Sequence, residues 1–99
     1  MKKYTTPEQT TKLVSLGFDD GVLTERHKWM PEGVARNFSL ADLFEMLPPR
    51  IGKWELSIWH DYKFERWVIC YDPETQTSAS TELIDAVYNL IEKLKNNKQ

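Results

Sequence analysis

Residues 53–71 read KWELSIWHDYKFERWVICY, and they hold three of the four tryptophans together with Tyr62, Phe64 and Tyr71, with basic residues between them. Two readings compete: a base-stacking, phosphate-binding surface, or the hairpin on which a small core is built. Register decides. Residues 53–60 and 64–72 both look like strands, and an antiparallel pairing that sets Trp54 against Tyr71 also sets Leu56 against Ile69 and Ile58 against Trp67. Side chains alternate with period two, so these six share one face. Glu55, Ser57, Trp59, Arg66, Val68 and Cys70 share the other. A slip of one residue would oppose Leu56 to Val68 and scatter the apolar set over both faces. Trp54 and Trp67 therefore read as core. Trp59 lies on the outer face, opposite Arg66 in this register, where a cation–π contact worth ~0.5–1 kcal/mol is expected. Tight primed turns need Gly or Asn at positive φ, and Tyr62-Lys63 offers neither, so a four-residue loop over 61–64 is expected. Asp72-Pro73-Glu74-Thr75 supplies the next turn, and residues 76–79 add a short third strand.

A two-stranded ribbon needs further structure to pack on, and the flanking sequence supplies three helices. Over 7–16, Thr6 is the N-cap, Pro7 the first helical residue, and Gln9 completes a capping box. Gly17 then fits the left-handed C′ position, with Phe18 folding back on Leu13. Over 39–47, Ser39 and Asp42 form a second capping box, and Phe38 with Leu43 a hydrophobic staple. Leu40, Leu43, Phe44 and Leu47 make one apolar stripe before Pro48-Pro49 stops the helix. Over 80–95, Ile84, Val87, Tyr88, Ile91 and Leu94 form the stripe, with Leu83 and Leu90 at its margins. Glu82 and Asp85 near the start, and Lys93 and Lys95 near the end, suit the helix dipole. Residues 19–21 and 30–33 read as turns, the second separating 22–29 from 34–38 as a loose hairpin or an irregular connection.

The expected fold is α+β: a single small domain over residues 1–99, with a two- or three-stranded antiparallel sheet (hairpin 53–60/64–72) packed against a C-terminal helix at 80–95, and helices at 7–16 and 39–47. A tail over 96–99 is expected to fray. The 99 residues are 40% hydrophobic and 28% charged with a formal net charge of -2, so no global field draws the chain to nucleic acid or anionic lipid. The single cysteine excludes an internal disulfide. No apolar run approaches the ~20 residues of a membrane span, and the Met-Lys-Lys start leads into polar residues, so a cytoplasmic protein without membrane contact is expected.

Candidate chemistry is sparse. Arg50, Lys53, Lys63 and Arg66 interleave with Trp59 and Tyr62 as a nucleic-acid surface would, but Glu55, Asp61 and Glu65 nearly cancel the charge that phosphate binding requires. The metal-ligand candidates His27, His60, Asp61, Glu65 and Cys70 show no paired spacing, and His60 beside Glu65 reads as an ordinary cross-strand pair. His60 and Cys70 fall at opposite ends of the hairpin, too far apart for a dyad. The carboxylates Asp42, Glu45, Glu82 and Asp85 are explained by helix starts. No glycine-rich phosphate loop is present. No catalytic, cofactor-binding or metal residue is therefore expected, and no cofactor. An interaction surface survives: Trp59, Arg66 and Tyr62 on the hairpin, and Trp29 beside a Pro-Gly turn, for a protein partner or self-association.

The segments TPEQTTKLVSLGF (6–18), FSLADLFEMLPPRI (38–51), WELSIW…WVICY (54–59 and 67–71) and STELIDAVYNLIEKL (80–94) together resemble a group of small proteins from bacteriophages and prophages of Bacteroides-type gut bacteria. That group shares a Q…LxxLG helix, an SLxxLLxxLP helix, a Trp strand before a W.V.Y strand, and a final xLIDAxYxLIxxL helix. The motifs consist of core and capping residues, so the resemblance speaks for fold and implies an accessory protein of a mobile element without implying site residues. This chain departs at its end, where many relatives carry LIWLIEN and this one has Leu90-Ile91-Glu92-Lys93-Leu94.

Overall fold

In the computed structural model, which describes residues 3–18 and 37–96, the first helix, α1 (Pro7–Ser15), forms where its caps put it. The Thr6 hydroxyl accepts from the Gln9 N–H at 3.1 Å, and the Gln9 carboxamide accepts from the Thr6 N–H at 2.9 Å. At the other end Gly17 sits at φ 101, with Gly17 N–H donating to the Val14 carbonyl and Phe18 N–H to the Leu13 carbonyl, the two bonds of a Schellman ending. The next helix, α2 (Leu40–Glu45), opens on the Ser39–Asp42 capping box, with both staple residues, Phe38 and Leu43, fully buried. The expected turns at 19–21 and 30–33, the pairing of 22–29 with 34–38, and the candidates Trp29 and His27 lie outside the described residues, apart from Asn37 and Phe38.

A two-stranded ribbon follows, β1 (Arg50–Ile51) with β2 (Trp54–Glu55). Gly52 has φ +60, and Lys53 is not at positive φ, so the two-residue turn takes the II′ form with glycine first. A three-stranded antiparallel sheet, ordered β3-β4-β5, comprises β3 (Ser57–Asp61), β4 (Arg66–Cys70) and β5 (Thr77–Ser80). The last helix, α3 (Leu83–Asn96), packs on β4 and β5 and also against α2.

The hairpin differs from expectation in two ways. Ser57 pairs with Cys70, Ile58 with Ile69, Trp59 with Val68, His60 with Trp67 and Asp61 with Arg66, a register two residues from the expected one. The faces are unchanged, because a slip of two preserves side-chain alternation. The loop is four residues long, as expected, but spans 62–65, so every partner moves. Trp54, expected opposite Tyr71, instead pairs with Ile51. The Leu56 N–H donates to the Pro49 carbonyl at 3.3 Å, so the chain changes partner between Leu56 and Ser57. The third strand forms close to where it was expected.

The core comprises Leu13, Phe38, Leu43, Ile69, Tyr71 and most of α3, with Trp54 and Trp67 packed against it while half-buried. The helix starts at Leu83 rather than 80 because Ser80 belongs to β5, paired with Trp67. It buries more than one stripe: Leu90, placed at the margin by periodicity, is fully buried, as is Ala86, whereas Leu94 is only partly covered. The cause is a second neighbour. Helix α2 lies against α3, and the Gln9 side chain of α1 donates to Asp85 at 2.9 Å.

Candidate interaction surface

Among the described residues the β3–β4 hairpin carries all the exposed large hydrophobic side chains but Val14. Tyr62 is 84% exposed, Phe64 60%, Trp59 47% and Ile58 38%. The loop that presents Tyr62 and Phe64 is built by Asp61, whose Oδ1 accepts from the Lys63 N–H at 3.1 Å and the Phe64 N–H at 3.4 Å. This Asx turn starts the reversal. Glu65, at φ 49, ends it in the left-handed region without a glycine. The second Asp61 oxygen, Oδ2, faces the Arg66 Nε at 3.6 Å.

Arg66 therefore does not meet Trp59. It stands opposite Asp61, and its guanidinium lies over the Phe64 ring at 5.1 Å, with the Lys63 ammonium 5.5 Å from the same ring. The expected Trp59–Arg66 contact fails because the register moved by two: Trp59 now faces Val68. His60 likewise meets Trp67, edge-on at 5.0 Å, and Tyr62 at 4.5 Å, rather than Glu65. The His60 Nδ1 is buried without a hydrogen-bond partner. Ile58, expected on the packed face with Trp67, is exposed instead, and Phe64 is the loop residue that sequence reasoning missed. Its signal was Asp61 three positions earlier, since an Asx turn there places Phe64 in the loop instead of the strand.

The basic residues of the expected nucleic-acid face are mostly engaged. Arg50 is paired with Glu55 across β1–β2, Arg66 with Asp61, and Lys53 lies 5.1 Å from the Trp54 ring. His60 and Cys70 stand three ladder positions apart. Among the described residues no cluster of three or more His, Cys, Asp or Glu is placed to hold a metal ion, and no helix is long and apolar enough to cross a membrane. A groove of about 490 Å³ opens between Phe18, the end of α2 and the end of α3. Its walls are apolar, its polar members are Gln76 and Lys95, and Lys95 already lies 4.8 Å over the Phe18 ring.

No protein-family model matches the chain, and no match is found among curated proteins or solved structures.

Proposed function

We propose that the protein is a small protein-interaction module that docks through the end of its β3–β4 hairpin. The observation that carries this reading is the exposure of Tyr62 and Phe64 in the hairpin loop and of Trp59 two residues before it, while Trp54 and Trp67 pack on the core. Aromatic side chains with few rotatable bonds make strong interface anchors at low entropic cost. Asp61 and Arg66 stiffen the loop that holds them, which lowers the cost of ordering on binding. The motif resemblance to phage and prophage proteins supports a cytoplasmic accessory role. Nucleic-acid binding is the second reading, supported by Lys63 and Arg66 over Phe64 and weakened by the carboxylates that pair Arg50 and Arg66.

The test is affinity capture from lysate of a phage-induced host, comparing the natural chain with a Tyr62→Ala/Phe64→Ala double variant. Both positions are exposed, so the variant keeps its core. Loss of the captured protein on double substitution is expected; unchanged capture removes the hairpin end as the docking surface. An electrophoretic shift at low salt that vanishes on Lys63→Glu would favour the second reading.

A further inference from the structure

The two edges of the three-stranded sheet are treated differently. In an antiparallel ladder each residue turns both its N–H and its C=O to the same neighbour, and successive residues alternate sides. The Tyr71 N–H donates to the Gln76 carbonyl at 2.9 Å, in line with the β4–β5 register. Tyr71, Ile69 and Trp67 therefore address β5, and Arg66, Val68 and Cys70 address β3. Their partners Asp61, Trp59 and Ser57 use their backbone groups on β4. Ile58 and His60 are left with N–H and C=O facing away from the sheet, and among the described residues nothing pairs with them.

At the opposite edge, Thr77 points outward by the same alternation, and its carbonyl takes the Lys93 ammonium at 3.3 Å. Helix α3 lies along β5 as well. Edge strands are ordinarily guarded by lysine, proline, a bulge or a covering element. Among the described residues β3 has none of these: its sequence is Ser-Ile-Trp-His-Asp, with Ile58 and Trp59 exposed on its two faces.

We propose that the free edge of β3 pairs antiparallel with the β3 of a second copy, giving a continuous six-stranded sheet. This rests on the interaction-module reading and names one partner for it. Backbone groups at an open edge are complementary to another strand, and the outward positions fix the register. The arrangement with greatest overlap sets Ile58 against His60 of the second copy and Trp59 against its own counterpart on the two-fold axis. Four backbone hydrogen bonds form, two from each Ile58–His60 pair. The Trp59 pair falls at a non-hydrogen-bonded position, where Cα atoms approach to ~4.5 Å and side chains meet closely. Ser57 faces Asp61, so no like charges oppose. The strand's only charged side chain, Asp61, is already paired with Arg66, so neither edge repels the other. Five-residue strands make a small interface, which belongs to the weak, reversible class with a micromolar dissociation constant.

Sedimentation of the full chain across a concentration series provides the first measurement, with a concentration-dependent dimer expected. Ile58→Pro removes an outward N–H without touching the β4 ladder, and a weakening of the dimer of at least tenfold with an unchanged circular dichroism spectrum is expected. Should that variant fail to fold, Ile58→Lys, which guards the edge by charge, replaces it with the same expectation. Register is tested by oxidation in a Cys70→Ala background, where Trp59→Cys should give a disulfide-linked dimer and Ser57→Cys should not. A chain that stays monomeric up to ~1 mM, a dimer equally strong with the edge blocked, or equal cross-linking at both positions would overturn the proposal. Capture that still depends on Tyr62 and Phe64 would leave the interaction-module reading standing in those cases; its loss alone would leave the dimer standing.

Discussion

The buried hydroxyls of Thr5 and Thr10 are the polar residues that the core accommodates, and the reason is a directed chain of hydrogen bonds. The Phe38 N–H donates to the Thr5 Oγ1 at 3.0 Å, the two threonine hydroxyls are 2.6 Å apart, and the Thr10 hydroxyl donates to the Asn37 Oδ1 at 2.7 Å. Because Thr10 spends its proton on Asn37, Thr5 must donate to Thr10, and all donors run one way. Thr10→Val keeps the volume and removes the middle link, leaving the buried Thr5 proton without an acceptor. A loss of about 1–3 kcal/mol in urea unfolding is expected, with Thr10→Ser recovering most of it. Nothing in the sequence announced this chain, since Thr10 and Asn37 are 27 positions apart, Thr5 and Phe38 33, and threonine carries no pairing signal. The caps at Thr6, Ser39 and Gly17 were legible because their partners lie within five residues.

Elements were legible to the extent that local periodicity determines them. All three helices form over the expected stretches, the last starting three residues late. The hairpin keeps its expected alternation, although Ile58 of the expected packed face is exposed and Val68 and Cys70 of the expected outer face are buried. The register was not available from alternation, because pairings that differ by two residues bury the same side chains. The turn chooses between them, and here Asp61 and a left-handed Glu65 set the loop at 62–65. That shift replaced Trp59–Arg66 by Trp59–Val68 and moved the candidate surface toward Tyr62 and Phe64. The β1–β2 ribbon had a readable cue in Gly52-Lys53 between Ile51 and Trp54, outweighed by the longer apolar run. Helix α3 offers a direct comparison of the periodic stripe with the observed packing. Leu90 is fully buried, while Leu94 is only partly buried. Leu90→Ala is expected to cost about 2–5 kcal/mol and Leu94→Ala clearly less, measured as paired urea transitions; the opposite order would restore the single-stripe reading.

For the molecule as a whole, pH acts from both ends. Burial, reinforced by a hydrogen bond to Glu92 and its charge, pushes the Tyr88 hydroxyl up to about 12, and burial raises Tyr71, whose hydroxyl donates to the Pro48 carbonyl. A proton held more tightly in the folded state stabilises fully below the ordinary tyrosine value of 10.0 and is lost as pH rises through the folded value. Stability should therefore fall between pH ~10 and ~12, and Tyr88→Phe should flatten that fall in pH-dependent urea midpoints. Asp72 works oppositely. The Glu74 N–H and then the Thr75 hydroxyl hold its carboxyl below the usual carboxylate value, so its contribution is present above that value and lost as acid protonates it. These limbs belong to turns and helix faces rather than to the hairpin end.

Cys70 lies in the central strand between Ser57 and Thr77 and is buried, and it is the chain's sole thiol. Its side chain stands off a face of the sheet, so a thiol reagent reaches it only when the packing over that face opens or a neighbouring strand parts, and its alkylation rate counts such openings. If the strand opens only with the whole fold, every core substitution should accelerate labelling by the factor it takes from the folding equilibrium. If β3 peels away alone, labelling should outpace global unfolding and slow when the β3 edge is occupied. The natural sequence thus contains its own reporter of sheet breathing, readable by mass without a label or a mutation.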